Sequence, residues 1–348
     1  MKQAIAVVGA GLIGRRHARA VLSADSASLV ALVDPDPQTS ALARQLDVAC
    51  FTTLEQLLDS GLAQGIVLST PNQHHVAQAL ACIEAGVPVL VEKPLAVDLP
   101  GARSIVAAGE AASVPVLTGH HRRHNPLVAK AKALIEQGSL GRLTSVQATT
   151  WFYKPDEYFD VTWRTQAGAG PIYLNLIHDI DMLRHLCGEV SQVQAMQSNG
   201  VRGHQVEDTA VVLLRFVNGV LGTLSVSDCT VAPWSWELTA RENPAYPATS
   251  QLCYQVGGTE GALALPDLSL WQHTDKRSWW EPISAVRVPH GVDDPLVCQV
   301  EQFSRVISGS EPPLVSARDG MLNQQILEAV MQSAKEQTVI KLEHPEIR

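Results

Sequence analysis

From Met1 to about His120, short apolar runs alternate with stretches of helical period. Lys2–Val8, Ser28–Val33, Gly65–Ser69, Pro88–Glu92 and Val114–Thr118 read as strands. They are apolar along their whole length, as strands buried on both faces must be. Between them, Arg15–Leu22, Pro37–Leu46, Thr53–Ser60, Asn72–Ala85 and Asp98–Ala112 read as helices. After Pro126 the texture changes. Leu127–Glu136 and Pro171–Leu186 are helical, and Leu143–Trp151 is a strand. A run of strands follows, Val190–Gln197, Thr209–Val217, Val220–Ser227, Trp236–Arg241 and Leu252–Val256, with few helices among them. Val297–Ile307 and Met321–Glu336 close the chain as helices, the latter with Leu322, Ile326, Ala329 and Val330 in step.

Strands separated by helices imply βαβ units and a parallel sheet with ligands at the C-terminal strand ends. Strands in succession imply an antiparallel sheet. The expectation is therefore an α/β doubly wound domain followed by an α+β domain with a mostly antiparallel sheet. The expected limits are 1–121 for the first and 122–315 for the second. A C-terminal helix and tail, 316–348, are expected to pack back on the first domain. A chain of 348 residues is long for one core, which agrees with two domains.

Composition narrows the partners. The formal net charge of -9 argues against nucleic acid and anionic membrane. No apolar run reaches membrane-spanning length, and the first residues lack the character of a signal peptide. The six cysteines are scattered without a CxxC pair, so they read as reduced thiols in a cytoplasmic protein.

The chemistry starts at Gly9-Ala10-Gly11-Leu12-Ile13-Gly14, set between the first strand and the first helix. In that context GxGxxG is a dinucleotide fingerprint. Gly9 makes the turn, Gly11 admits a pyrophosphate, and Gly14 lets the helix pack on the strand. Leu12 and Ile13 complete the cofactor loop. Asp34 ends the second strand about twenty residues on, where an acidic residue accepts the ribose hydroxyls. It repels a 2′-phosphate, and no arginine follows it directly, so the pattern selects NAD, with NADP the poorer fit. This makes the first domain a Rossmann domain.

Further candidates share the rim. Ser69, Thr70, Asn72 and His75 follow the third of these strands and are expected to contact the cofactor's nicotinamide side, although Thr70 or Asn72 could instead cap the next helix. Glu92-Lys93-Pro94 follows the next strand. Glu92 is placed with the cofactor. The Lys93 ammonium can hydrogen-bond a substrate hydroxyl and favour its alkoxide. The following proline restricts Lys93, through a cis bond in one reading. Farther on, His178, Asp181 and His185 have helical spacings that would suit metal ligands pairwise but not all together, and no metal is expected. His178 reads either as a general acid/base or as a packed helix histidine.

The segments GAGLIGRRH, STPNQHH, EKPLA, GHHRRHNP, IYLNLIHDIDMLRHLCGE, VEDTA and EPPLVSARDG, with Asp34, together resemble the glucose-fructose oxidoreductase and myo-inositol dehydrogenase (Gfo/Idh/MocA) family. The resemblance runs from Gly9 to Leu342. It implies a Rossmann domain, a second domain with a large open sheet, a bound nicotinamide cofactor and a sugar-like or polyol substrate. It also implies a homodimer or homotetramer formed through the open sheet. Lys93 matches the lysine that contacts substrate and nicotinamide, and His178 the proton-transferring histidine. The family often carries an aspartate four residues before that histidine. Here Leu174 stands there, with Asn175 beside it, so Asp179 or Lys93 is expected to take part of its role.

Arg122, Tyr153, Trp163, Arg164, Asn175 and Asp179 are the expected substrate contacts, since aromatic faces and arginine forks suit sugars and carboxylates. The expected activity is NAD-dependent oxidation of a secondary hydroxyl, or the reverse reduction. Two rival readings stand beside it: a glycoside hydrolase that retains NAD, and a non-catalytic NAD-binding regulator.

Overall fold

The computed structural model describes residues 2–343. Two compact units emerge. One joins the chain up to Asn125 with Asp293–Gln325, the other Pro126–Val292 with the chain from Ile326 onward.

The first unit begins β1 (Gln3–Val8), α1 (Leu12–Ser23), β2 (Ala27–Val33), α2 (Gln38–Leu46), β3 (Ala49–Phe51) and α3 (Leu54–Ser60). It continues β4 (Gly65–Leu68), α4 (His75–Glu84), β5 (Val89–Val91), α5 (Leu99–Ala112) and β6 (Val116–Thr118). The strand order is β3-β2-β1-β4-β5-β6, parallel throughout. Chain order reverses between β1 and β4, the switch point at which such sheets bind ligands. The apolar runs need cover on both faces and receive it. Val8, Ile66 and Val91 pack with α3, α4 and α5, while Ile5, Val7 and Val67 pack with α1 and α2. Sequence periodicity missed only the three-residue edge strand β3.

The second unit holds α6 (Pro126–Glu136), β7 (Leu143–Trp151), α7 (Ile177–Cys187), β8 (Val190–Ser198), β9 (Thr209–Phe216) and β10 (Leu221–Ser227). Then come α8 (Trp236–Thr239), β11 (Tyr254–Gly258), β12 (Ala262–Leu265), β13 (Ser269–Gln272) and β14 (Ser284–Arg287). After α9 (Pro295–Ile307) and α10 (Ala317–Glu336), β15 (Ile340–Lys341) completes a nine-stranded sheet, β14-β13-β12-β11-β7-β10-β9-β8-β15. Every pairing is antiparallel except β7 with β10. One face packs on α6, α7 and the second half of α10. The other keeps Met196, Val211, Leu213 and Leu221 exposed.

Three expectations are corrected. Trp236–Thr239 is a helical turn rather than part of a strand, because Ser235 Oγ caps it by accepting Leu238 N–H at 3.3 Å. Asp293–Gln325 falls in the first unit, since α9 packs on α1 and β2 there. The expected C-terminal element is divided: 316–325 belongs to the first unit, where Ala317 and Met321 join its core, while from Ile326 on the chain belongs to the second, with Leu342 N–H bonding Ser191 O at 2.9 Å beside β8. Residues 344–348 of the expected tail lie outside the described residues. Among the described residues, no helix is long and apolar enough to cross a membrane.

Candidate functional site

The glycine loop joins β1 to α1. Gly9 takes φ +91°, a left-handed conformation that a side chain would resist. A Cβ on Gly14 would stand 1.7 Å from Gly9 O, so the helix start touches the strand end through bare backbone. Gly11 differs. A Cβ there would meet nothing within 4 Å. The protein's own packing does not require that glycine, whereas a pyrophosphate lying against the loop would. Gly11 is also the N-cap of α1 and supplies no side-chain cap, leaving first-turn N–H groups for an anion. Leu12 is 88% exposed in that turn, and Ile13 half-buried. These features fit a dinucleotide phosphate.

Asp34 Oδ2 accepts Ala10 N–H at 2.6 Å, and Oδ1 accepts Asp36 N–H at 2.9 Å. A carboxylate offers about four acceptor sites, so capacity for ribose hydroxyls remains. Arg15, absent from the expected set, donates Nε–H to Ala10 O at 2.9 Å and borders the same loop.

The rim after β4 departs from expectation. The Ser69 hydroxyl donates to Val8 O and Gly9 O, both at 2.9 Å, and braces the glycine turn from behind. Neither Thr70 nor Asn72 caps the next helix: the Thr70 hydroxyl bonds Gln78 Oε1 at 2.6 Å, and Asn72 begins an exposed 3-10 turn, Asn72–His74. His75 is not presented to a cofactor. It is fully buried, with Nδ1 2.8 Å from Pro94 O and Nε2 2.9 Å from Thr70 O. Its ring fastens the β4 rim to the turn that follows Lys93.

At the end of β5, Lys93 is half-buried and the Lys93–Pro94 bond is cis. Glu92 is buried beneath it. Its Oε1 lies 2.6 Å from His17 Nε2, and its Oε2 accepts Lys93 N–H at 3.1 Å. Glu92 is thus a brace rather than a cofactor contact, because its carboxylate is turned into the protein. Burial alone would raise its pKa. The His17 hydrogen bond and the charges of His17, Lys93 and His121 prevail and hold it at about 2. After β6, Arg122 belongs to the first unit and is 3% exposed, in the 3-10 turn His121–His124. Beside it, Arg123 Nη1 pairs with Asp319 Oδ1 at 3.2 Å. An expected open cleft residue is therefore enclosed.

In the second unit, residues 172–176 form a π-helical turn that runs into α7. Such turns often mark functional sites. Asn175 lies in the turn, with its Oδ1 buried and lacking a hydrogen-bond partner among the described residues. His178 follows in the first turn of α7, three residues on and so on a neighbouring face. Leu174 is half-buried in the same turn. Asp179, the residue after His178, is fully buried and accepts from Thr150 Oγ1 at 2.7 Å and from Tyr254 OH, so it anchors α7 to the sheet. Glu207 accepts Ile172 N–H at 2.9 Å at the start of the π turn, and burial raises its pKa.

The segment after β7 carries the aromatic and cationic candidates. Arg164 donates Nη1–H to Tyr158 O at 2.8 Å and lies 4.1 Å from the Tyr158 ring centroid and 5.7 Å from that of Trp163. Trp163 and Tyr153 are largely exposed. Lys154, outside the expected site set, is buried, 5.2 Å from the Tyr158 ring and 3.4 Å from Asp228 Oδ2. Burial lowers its pKa, partly offset by Asp228 and Glu207. Arg202 bonds Asp228 Oδ1 and O, Lys154 O and Asp156 Oδ1, and so closes the base of this loop. Lys154 follows Tyr153 in a stretch rich in aromatics, which is its signal in the sequence, whereas Arg202, four residues before the VEDTA segment, has no such neighbours.

The fold and loop thus define a class: a dinucleotide-binding protein with a second, mixed-sheet domain. Residues 4–120 match the model described as "Oxidoreductase family, NAD-binding Rossmann fold", and residues 128–264 match the GFO/IDH/MocA C-terminal domain. The chain belongs to the Gfo/Idh/MocA family of NAD-binding oxidoreductases. It is 28% identical to D-apiose dehydrogenase of Paraburkholderia graminis over 97% of this chain and 89% of that protein. It is 25% identical to myo-inositol 2-dehydrogenase of Thermotoga maritima, over 97% of this chain and 98% of the relative. Among solved structures, WlbA dehydrogenase of Bordetella pertussis, in complex with NADH and UDP-GlcNAcA, superposes with a TM-score of 0.80 at 26% identity, covering 99% of this chain and all of that one. Among the described residues, no group of three or more His, Cys, Asp or Glu side chains is arranged to hold a metal ion.

Proposed function

We propose that the protein is an NAD-dependent dehydrogenase of a secondary hydroxyl on a sugar, cyclic polyol or related hydroxy compound. One observation carries this reading: Lys93 stands at the C-terminal end of β5, on the same rim as the glycine loop and Asp34. The relatives named as apiose and inositol dehydrogenases support the substrate class. When bound, NAD supplies the hydride acceptor. The first turn of α1 holds its phosphates and Asp34 its adenosine ribose, which selects NAD over NADP. Lys93 donates a hydrogen bond to the substrate hydroxyl and stabilises the developing alkoxide. His178 takes the hydroxyl proton, and Asn175, with its unmet acceptor, hydrogen-bonds the substrate. Tyr153, Trp163 and Arg164 bind the sugar face. Self-association through the exposed apolar face of the nine-stranded sheet follows from Met196, Val211, Leu213 and Leu221.

The test is an absorbance screen for NADH with NAD or NADP and a panel of inositols, aldoses, uronic acids and anhydrosugars. Steady NADH formation is expected from at least one member. Lys93→Met should lower kcat by ~10³-fold while NADH affinity stays within about threefold. An unchanged kcat in Lys93→Met would refute its role. A product formed without net NADH would favour a hydrolase that retains its cofactor.

A further inference from the structure

Beneath Lys93 lies a buried histidine–glutamate pair that the dehydrogenase reading does not use. His17 is fully buried and Glu92 is 6% exposed, with 2.6 Å between Nε2 and Oε1. Seventy-five residues separate them along the chain. Burying two such groups is costly, and a pair of this kind is weak evidence of stabilisation for its own sake. Its position is the informative part. His17 follows Gly14 by three residues on α1, so both lie on one face of the helix. Gly14 is the residue that lets α1 touch Gly9 with no side chain between. That close approach brings His17 within reach of the end of β5. The other oxygen of Glu92 holds the Lys93 peptide N–H at 3.1 Å. One continuous set of contacts therefore runs from the glycine loop through α1 and the pair to Lys93.

We propose that His17 and Glu92 are positioning residues: the imidazole, borne on the phosphate-facing helix, fixes the carboxylate, and the carboxylate fixes the Lys93 backbone and keeps an anion beside its ammonium. The inference rests on Lys93 being the residue at the substrate hydroxyl. Its consequence is that Lys93 remains a charged donor over the working pH range. The charged groups acting on Glu92 are His17 from α1, Lys93 on its own segment and His121 after β6.

The test reads Lys93 directly, in the full chain, with NADH present and absent. Competitive labelling with acetic anhydride, followed by mass spectrometry of the Lys93 peptide, gives its titration midpoint. In Glu92→Gln the midpoint should fall by about one pH unit, a tenfold change in equilibrium, because the neighbouring anion is gone. NADH affinity should stay within about threefold, since the phosphate contacts are untouched. Should Glu92→Gln not fold, Glu92→Ala carries the same test. His17→Leu leaves the carboxylate ionised where a lysine titrates but no longer fixed, so kcat should fall about tenfold, and His17→Gln, which restores a donor, should recover part of that loss. A midpoint unchanged in a folded Glu92→Gln or Glu92→Ala protein would overturn the proposal. Full activity in Lys93→Met would instead sink the catalytic reading and leave the labelling result standing.

Discussion

Two buried glutamates, one in each unit, meet opposite fates. Glu92 in the first unit is held ionised by His17, Lys93 and His121, despite burial. Glu207 in the second is pushed toward its neutral form, because burial outweighs the Ile172 N–H bond and Lys154. The difference extends to the units themselves. The cofactor half is built from backbone, with its rim side chains Ser69, His75 and Glu92 consumed in bracing that backbone. The second half presents long side chains, Tyr153, Arg164 and Trp163, and leaves Asn175 Oδ1 without a hydrogen-bond partner among the described residues. On the proposed function, the cofactor is met by rigid backbone geometry and the substrate by side chains.

The strongest break in that contrast lies within the glycine loop. Gly14→Val should abolish NADH binding, by ~100-fold or more, and lower the unfolding temperature, because its side chain must displace Gly9 O. Gly11→Val should also weaken NADH, by ~10-fold or more, yet leave the unfolding temperature unchanged. Fluorescence titration and thermal unfolding of the two variants side by side decide the matter. Equal unfolding temperatures would refute the distinction between a glycine required by packing and one required by ligand.

Asp179→Ala comes next. It strips Thr150 and Tyr254 of their shared acceptor and should cost about 3 kcal/mol in urea unfolding. NADH affinity should not change, since Asp179 lies in the second unit. Loss of substrate affinity without loss of stability would return Asp179 to the substrate site.

The smallest effect sharpens the glutamate comparison. The depressed pKa of Glu92 gives stability that is present above its ordinary value of 4.5 and lost as pH falls toward about 2. Glu207 has the reverse sign. Its raised pKa penalises the fold at high pH, and the penalty fades as pH falls through that raised value toward 4.5. Glu207→Gln keeps an acceptor for Ile172 N–H. It should raise the unfolding temperature by a few degrees at about pH 8, with the gain closing near pH 4.5. A gain that is constant with pH would exclude the charge as its cause.

The first unit was legible because its signals are local. Strand, turn and helix periods are fixed by neighbours in the chain, and GxGxxG states its own backbone demands. Asp34 followed from spacing alone. The second unit was read less well. The alternation in Trp236-Glu237-Leu238-Thr239 resembles a strand until Ser235 is recognised as a cap. The strands β12 to β14 are four residues each, too short for a period to emerge. Among site residues, the burial of His75 and Glu92 depended on partners far along the chain, which no local pattern displays. Asp179 did leave a trace. It falls in step with Leu183 and Leu186, the stripe of α7 that faces the core.

That stripe gives the Asp179 anchor a further meaning. Thr150 lies on β7 and pairs with Val226 of β10, while Tyr254 of β11 pairs with Ala148 of β7. The carboxylate beneath them accepts from both side chains at once. Slipping β7 by a single residue would turn Thr150 to the opposite face and leave a buried carboxyl group without one of its donors. Asp179 therefore proofreads the alignment of the central strands: mispaired sheets carry a desolvation penalty that the correct one escapes.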